Sequence, residues 1–283
     1  MARIFGFSRS SYYKQRDGQL SKNKVARLLA ESIITKAFND SGGEYGARRI
    51  IKVLNKNQIR MGKKRVIKIM NALGLKPKAR KKFKVTTQQS SAPYYVAPNL
   101  LKQVFTETAP NQAWVTDITY VPTQEGWLYV ATVIDLFSRK VVGLAMSQRL
   151  KTDLVLRAVS QAVTRRNPMP GLILHSDRGS QYTSRAYRKL TKKSGITLSM
   201  SSTGNCYDNA VAESFFHTLK IAVVHGQTYQ TRNQATRSIF EYIELFYNQE
   251  RMHSTLNYCS PNEFEENYFN QPVYPVANCL LKR

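Results

Sequence analysis

The stretch AWVTDITYVPTQEGWLYVATVIDLFSRKVVGLAMS, Ala113 to Ser147, decides how this sequence folds. Within it Ala113–Val121, Trp127–Asp135 and Lys140–Ser147 are aromatic or β-branched runs separated by turn-forming residues, which predicts three strands of an antiparallel meander. Downstream the pattern changes. A helix is expected at about Thr152–Arg166, a short strand over GLILHSD (Gly171–Asp177), a helix near Ser184–Ser194 and a strand at Ile196–Met200. Long helices at about Asp208–Val224 and Thr231–Asn248 complete it. Strands followed by alternating helices and strands imply an α/β layer fold with a mixed sheet.

Upstream, Met1–Asp17 has no clear periodicity. A helix is expected from a Ser21 cap to about Phe38, with Val25, Leu28, Leu29 and Ile33 as its apolar stripe. In Tyr45–Pro77, Ile50, Val53 and Leu54 form one stripe, and Val66, Ile69, Met70 and Leu73 form another. Two short basic helices joined by a turn fit a helix-turn-helix in which Lys63, Lys64, Arg65 and Lys68 meet phosphates; a plain helical hairpin is the alternative. Residues 1–105 contain no His or Cys, which excludes a zinc-stabilised version. Lys76–Asn99 is basic, then polar, then proline-containing, a linker composition. The expected organisation is a helical segment at 1–40, a helix-turn-helix-like domain at 41–78, a linker at 79–107, an α/β core at 108–270 and a tail at 271–283.

Charge narrows the partners. The net charge is +25, and residues 1–102 hold 24 basic against 4 acidic side chains, so the front third carries the polycation. An excess spread over a hundred residues implies a polyanion, most simply nucleic acid, because each neutralised phosphate releases a counterion. The longest apolar run, Trp127–Ile134, is far short of the roughly 18 residues of a membrane helix, and there is no signal-peptide pattern, so a cytoplasmic protein is expected. Cys206, Cys259 and Cys279 have no paired spacing.

Most acids after residue 102 fit solvated faces, among them Glu241, Glu244, Glu250, Glu263, Glu265 and Glu266. Asp208 is expected to cap a helix, and Asp135 to shape the turn DLFSR. Three acids stand apart: Asp117 interrupts WVTDITYV, Asp177 ends LILHSD, and Glu213 lies inside NAVAESFF. A carboxylate in apolar surroundings loses hydration unless it is paired or ligates a metal. Each alone could instead be an edge position or a cap.

Together with their order, WVTDITYV, VIDLFSRKVVG, HSDRGSQYTS, SMSSTGNCYDNAVAESFFHTLK, YNQERMHSTLNYCSPNEF, YGARRI and GKKRVIKIMNALGL resemble the integrase-core DDE transposases of bacterial insertion sequences, specifically the OrfB proteins of the insertion-sequence-three family. The resemblance covers roughly Tyr45–Phe264. It implies an RNase-H-like core in which Asp117, Asp177 and Glu213 hold divalent metal and catalyse cleavage at the element's end, followed by strand transfer. Ser202 and Thr203 depart from it, standing where the family often has a basic residue. Hard carboxylate oxygens suit Mg²⁺ or Mn²⁺, and two ions about 3.5–4 Å apart can stabilise attacking and leaving oxygens. A nuclease that only hydrolyses, or a DNA-binding regulator on a degenerate core, are the competing readings.

Lys220 follows Glu213 by seven residues, about two helical turns, and so shares its face; by resemblance it grips DNA, and a solvated lysine is the alternative. Arg178 beside Asp177, and Arg251 and His253 beyond the last long helix, join the candidate DNA contacts. His175 shares a strand face with Asp177 and either lines the site or is a satisfied core histidine. Expected partners are double-stranded DNA (element ends and target), further copies of the chain on that DNA, and the upstream-frame product OrfA, because no leucine heptad run is present to pair two DNA ends. SRSSYYK, near the start, resembles the beginning of a downstream-frame product.

Overall fold

The computed structural model describes residues 22–78, 95–202 and 206–270. The expectations for Met1–Asp17, the Ser21 cap, SRSSYYK, most of the linker, the Thr203–Asn205 turn and the 271–283 tail lie outside them. The chain divides into two units, Met1–Lys78 and Ala79–Arg283.

The first unit holds α1 (Lys22–Asp40), α2 (Ala47–Lys56) and α3 (Lys63–Ala72), and α1 packs on both others. Ile50 and Leu54 of α2 meet Val66, Ile69 and Met70 of α3 in its buried interior, as their spacing predicted. The stripe on α1 is different. Ala30, Ile34 and Ala37 are buried, whereas Val25, Leu28 and Leu29 are exposed. Three-four spacing fits both stripes, and the small alanines let α1 approach its neighbours. The helix-turn-helix-like unit therefore includes α1, and its three helices form one body.

The second unit contains β1 (Ala113–Thr123), β2 (Gly126–Asp135), β3 (Val141–Ser147), α4 (Thr152–Arg166), β4 (Ile173–Ser176), α5 (Ser180–Thr183), α6 (Arg185–Lys193) and β5 (Thr197–Met200). A 3-10 turn (Cys206–Asn209) then leads into α7 (Ala210–Leu219), followed by α8 (Arg232–Glu241) and α9 (Pro261–Phe269). α7 and α8 continue into wider π turns at Lys220–Val224 and Tyr242–Tyr247. The five strands are ordered β3-β2-β1-β4-β5, with β1 antiparallel to β2 and parallel to β4. A meander extended by two parallel strands, with helices on both faces, is the RNase-H-like arrangement.

Each face buries its own core. Trp114, Ala131, Val133 and Leu174 pack under Leu154, Val155 and Ala158 of α4. Gly143 makes this approach possible, since a Cβ there would lie 2.3 Å from the Ala158 carbonyl oxygen. On the opposite face Val115, Val121, Val130 and Ile134 meet Ala212, Phe215, Phe216 and Leu219 of α7 and Ile239 of α8. Ala97 and Leu101 are buried in these cores, so the folded unit begins before the expected 108.

Two acids correct the sequence reading. Asp208 does not cap α7, whose N-cap position is Asn209. It is buried and accepts from Asn99 Nδ2 (2.9 Å), Gln103 Nε2 (3.1 Å) and the Ser202 amide (2.8 Å), tying the entry segment to the loop after β5. Glu265 is not on a solvated face. Arg166 donates to both its oxygens at 2.7 and 2.9 Å, with Ser138 Oγ at 2.7 Å and Lys140 Nζ at 3.2 Å. These partners pull Glu265 below the usual carboxylate range despite its burial. Asp135 shapes its turn as expected, accepting from the Phe137 and Ser138 amides, and also binds the Asn111 amide and the Trp114 indole. Helix α9, which carries Glu265, escaped the sequence reading although SPNE places a Ser260–Glu263 capping box around a proline at the first turn.

Removing one partner of a buried ion pair leaves the other charge uncompensated. Glu265→Ala is expected to lower stability by about 3 kcal/mol in urea unfolding, while Glu266→Ala, at an exposed position, stays within about 0.5 kcal/mol. Equal effects of the two would contradict the network.

Candidate active site

The register of β1 and β4 builds the site. Ala113 pairs with Ile173 and Val115 with His175, so the same offset sets Asp117 level with Asp177 just past the end of β4. Adjacent strands lie about 4.8 Å apart, and alternation puts both aspartates on the face that bears Ala113, Val115 and Ile173. That is the face covered by α7, which carries Glu213.

Asp117 is surrounded by protein but keeps a partly open carboxylate edge; its Oδ1 accepts the Ile118 amide at 2.7 Å. Burial, and then the charges of Asp177 and Glu213, push it well above the usual carboxylate range. Asp177 is half-buried, accepts the Gly179 amide at 2.9 Å, and is also raised by burial. Glu213 stands exposed at the rim of α7 and is raised by partial burial. None of these three acids has an ion-pair partner among the described residues. Nor do any three His, Cys, Asp or Glu side chains among the described residues stand close enough to hold one ion. Asp117 feels Asp177 more strongly than Glu213, in keeping with an outlying third acid.

The flanking candidates divide. The Lys220 ammonium lies 5.0 Å above the Tyr120 ring; burial lowers its proton affinity and Asp117 raises it. Arg178 donates through Nε to the Ser201 carbonyl (2.7 Å), joining the loops after β4 and β5. His175 is fully buried, with Nδ1 2.8 Å from Ser199 Oγ and Nε2 3.2 Å from Ser201 Oγ, and burial lowers its pKa to about 4. It is a satisfied, neutral core histidine. Arg251 is buried against the Tyr247 ring, and His253, partly buried, has Nε2 3.1 Å from the Tyr247 hydroxyl. Lys63, Lys64, Arg65 and Lys68 are exposed on α3 of the first unit.

Sequence reasoning missed the tyrosine layer behind the acids. Tyr182, from HSDRGSQYTS, is fully buried with its hydroxyl 3.5 Å from Thr116 Oγ1, and after burial the charges of Asp117 and Asp177 raise it most. Only the proximity of that tyrosine to Asp177 in sequence hinted at it.

The chain resembles known proteins over most of its length. Residues 107–206 and 213–269 match models described as integrase core domain, and residues 24–83 match an HTH-like domain. The chain is 46% identical over 247 residues to the transposase for insertion sequence element IS904 of Lactococcus lactis, covering 87% of this chain and 97% of the relative. It is 40% identical to transposase InsF for insertion sequence IS3A of Escherichia coli, covering 94% and 92%. A simian T-cell lymphotropic virus intasome chain aligns over 79% of this chain and 73% of its own length, with 14% identity and a TM-score of 0.48.

Carboxylates raised by folding make the folded chain bind more protons than the unfolded chain just above their ordinary value of about 4, so they destabilise it as pH rises through that window. Asp117→Asn is therefore expected to raise metal-free stability at pH 7 by about 1 kcal/mol. The gap should close as the pH falls toward 4; a variant that melts below the parent at pH 7 would contradict the cluster.

Proposed function

The chain belongs to the insertion-sequence-three family of integrase-core transposases and is a DDE-type polynucleotidyl transferase; from that premise we propose that Asp117, Asp177 and Glu213 are its catalytic acids. The observation that carries this assignment is the shared β1–β4 register, which sets two unpaired aspartates level beneath the helix that bears the glutamate. Three unpaired like charges of hard-oxygen type fit divalent cations, Mg²⁺ or Mn²⁺, with two ions in the working complex. The cations supply charge stabilisation for the attacking and leaving oxygens when bound. Glu213, exposed at the rim, has the freedom to swing toward the aspartates.

The protein's own groups do the rest. β1 and β4, backed by the apolar core under α7, hold Asp117 and Asp177 partly desolvated, where electrostatic interactions are stronger than in water. Lys220, beside Asp117, is placed to hold a phosphate of the scissile strand. The exposed bases of α3 hold duplex DNA by phosphate contacts, which position the duplex without reading its sequence. The substrates are element ends and target DNA, in the bacterial cytoplasm.

Asp117→Asn, Asp177→Asn and Glu213→Gln are each expected to abolish cleavage and strand transfer on labelled ends while leaving end binding within about twofold. A variant that keeps more than about a tenth of the activity, a barrier change under about 1.4 kcal/mol, removes that residue from the site.

Joining two ends requires two DNA sites held together, and no leucine heptad run in this chain supplies a zipper. Further copies of the chain and an upstream-frame partner, OrfA, are proposed to provide the pairing. Transposition by this chain alone is expected to be at least about tenfold less frequent than with that partner fused or co-expressed, and equal frequencies would defeat the partner requirement.

A further inference from the structure

Strand β4 ends at Ser176, so beyond Asp117 strand β1 runs on toward its hairpin with β2 without a β4 neighbour. Alternation turns Tyr120 to the face opposite Asp117, and Trp127, beside it across the hairpin, turns the same way. Their rings meet edge to face with centroids 4.9 Å apart, yet Tyr120 is 39% and Trp127 49% exposed. Lys220 departs from the helix on the acid face, but its ammonium sits over the Tyr120 ring while still within the field of Asp117. It therefore reaches round the β1 edge and links the aromatic pair to the acid site.

The hairpin is pinned. Arg232 donates through Nε to the Trp127 carbonyl (3.1 Å), through Nη2 to the Glu125 carbonyl, and through its amide to the Glu125 carboxylate (2.9 Å). The Gln124 amide donates to the Tyr229 carbonyl at 2.9 Å. Gly126 turns the chain at φ +108°, and a Cβ there would lie 2.8 Å from Arg232 Nη2. Rings on a braced turn lose little conformational freedom on binding.

We propose that Tyr120 and Trp127 form a stacking platform for an unpaired base of the DNA strand entering the acid site, with Lys220 on its phosphate. The proposal rests on the reading of Asp117, Asp177 and Glu213 as the transfer site. Bases inside a duplex hide their faces, whereas an opened end exposes them, and aromatic stacking is worth about 1–3 kcal/mol per base with little sequence preference. The cationic neighbour favours nucleic acid over an apolar protein surface.

The chain has two tryptophans, and Trp114 is fully buried, so fluorescence changes report Trp127. The full chain is titrated without divalent metal against a duplex carrying a single-stranded thymidine tail and against the blunt duplex. Tail-dependent quenching is expected. Trp127→Ala and Tyr120→Leu should each weaken binding of the tailed duplex at least about fivefold and leave the blunt duplex unchanged, whereas Trp127→Phe should keep the affinity and lose the quench. Equal quenching by both duplexes, equal affinity losses on both, or a change of oligomeric state in Trp127→Ala would overturn the platform. Asp117→Asn should keep the quench while losing strand transfer. Failure of the acid assignment shows as retained transfer in that variant, and failure of the platform as absent tail-dependent quenching in a chain that still transfers.

Discussion

Asp117 sits in the middle of an apolar strand, close enough to Asp177 and Glu213 to feel both charges, and among the described residues no cation forms an ion pair with it. Such a group opposes folding. Holding it in place requires a rigid sheet, and the two cores packed on the sheet's faces provide that rigidity. The parallel pairing of β1 with β4 follows from the same requirement. A register slip of a single residue would turn one aspartate to the other face.

The molecule treats its other buried acids differently. Asp135, Asp208 and Glu265 are more enclosed than Asp117, and amides, amide side chains and the Arg166 guanidinium fill their oxygens. They fasten the turn after β2, the entry segment and α9 to the core. The contrast has a physical basis: a fully hydrogen-bonded carboxylate has nothing left to offer a substrate, while a carboxylate with an open edge and raised proton affinity has oxygens available for a cation. The basic groups differ too, since Arg251 is buried on Tyr247 while Lys220, over the Tyr120 ring, lies within the field of Asp117.

Most of the basic charge of the front third and the three candidate acids fall on separate units. Residues 1–78 hold 19 of the 24 basic side chains of residues 1–102, the exposed bases of α3 among them, while Asp117, Asp177 and Glu213 belong to the sheet-bearing unit. A polycation beside Asp117 would pair with it and occupy its oxygens, whereas a single lysine, Lys220, lies within its field.

Some of this was legible in the sequence. Aromatic and β-branched runs broken by turn residues gave the meander within two residues at each end, and the position of acids inside apolar runs marked Asp117, Asp177 and Glu213. The motifs themselves identified the family. What the sequence left open depends on contacts between distant residues. The α1 stripe was ambiguous because two faces share the same spacing, and only packing against α2 and α3 chose Ala30 and Ile34. Glu265 looked like its solvated neighbours because Arg166 is 99 residues away in sequence, and Asp208 looked like a cap because Asn99 lies 109 residues from it. A local pattern can state that an acid needs a partner; tertiary structure alone decides whether one is there, because the partner's distance is set by the fold and not by the chain between them.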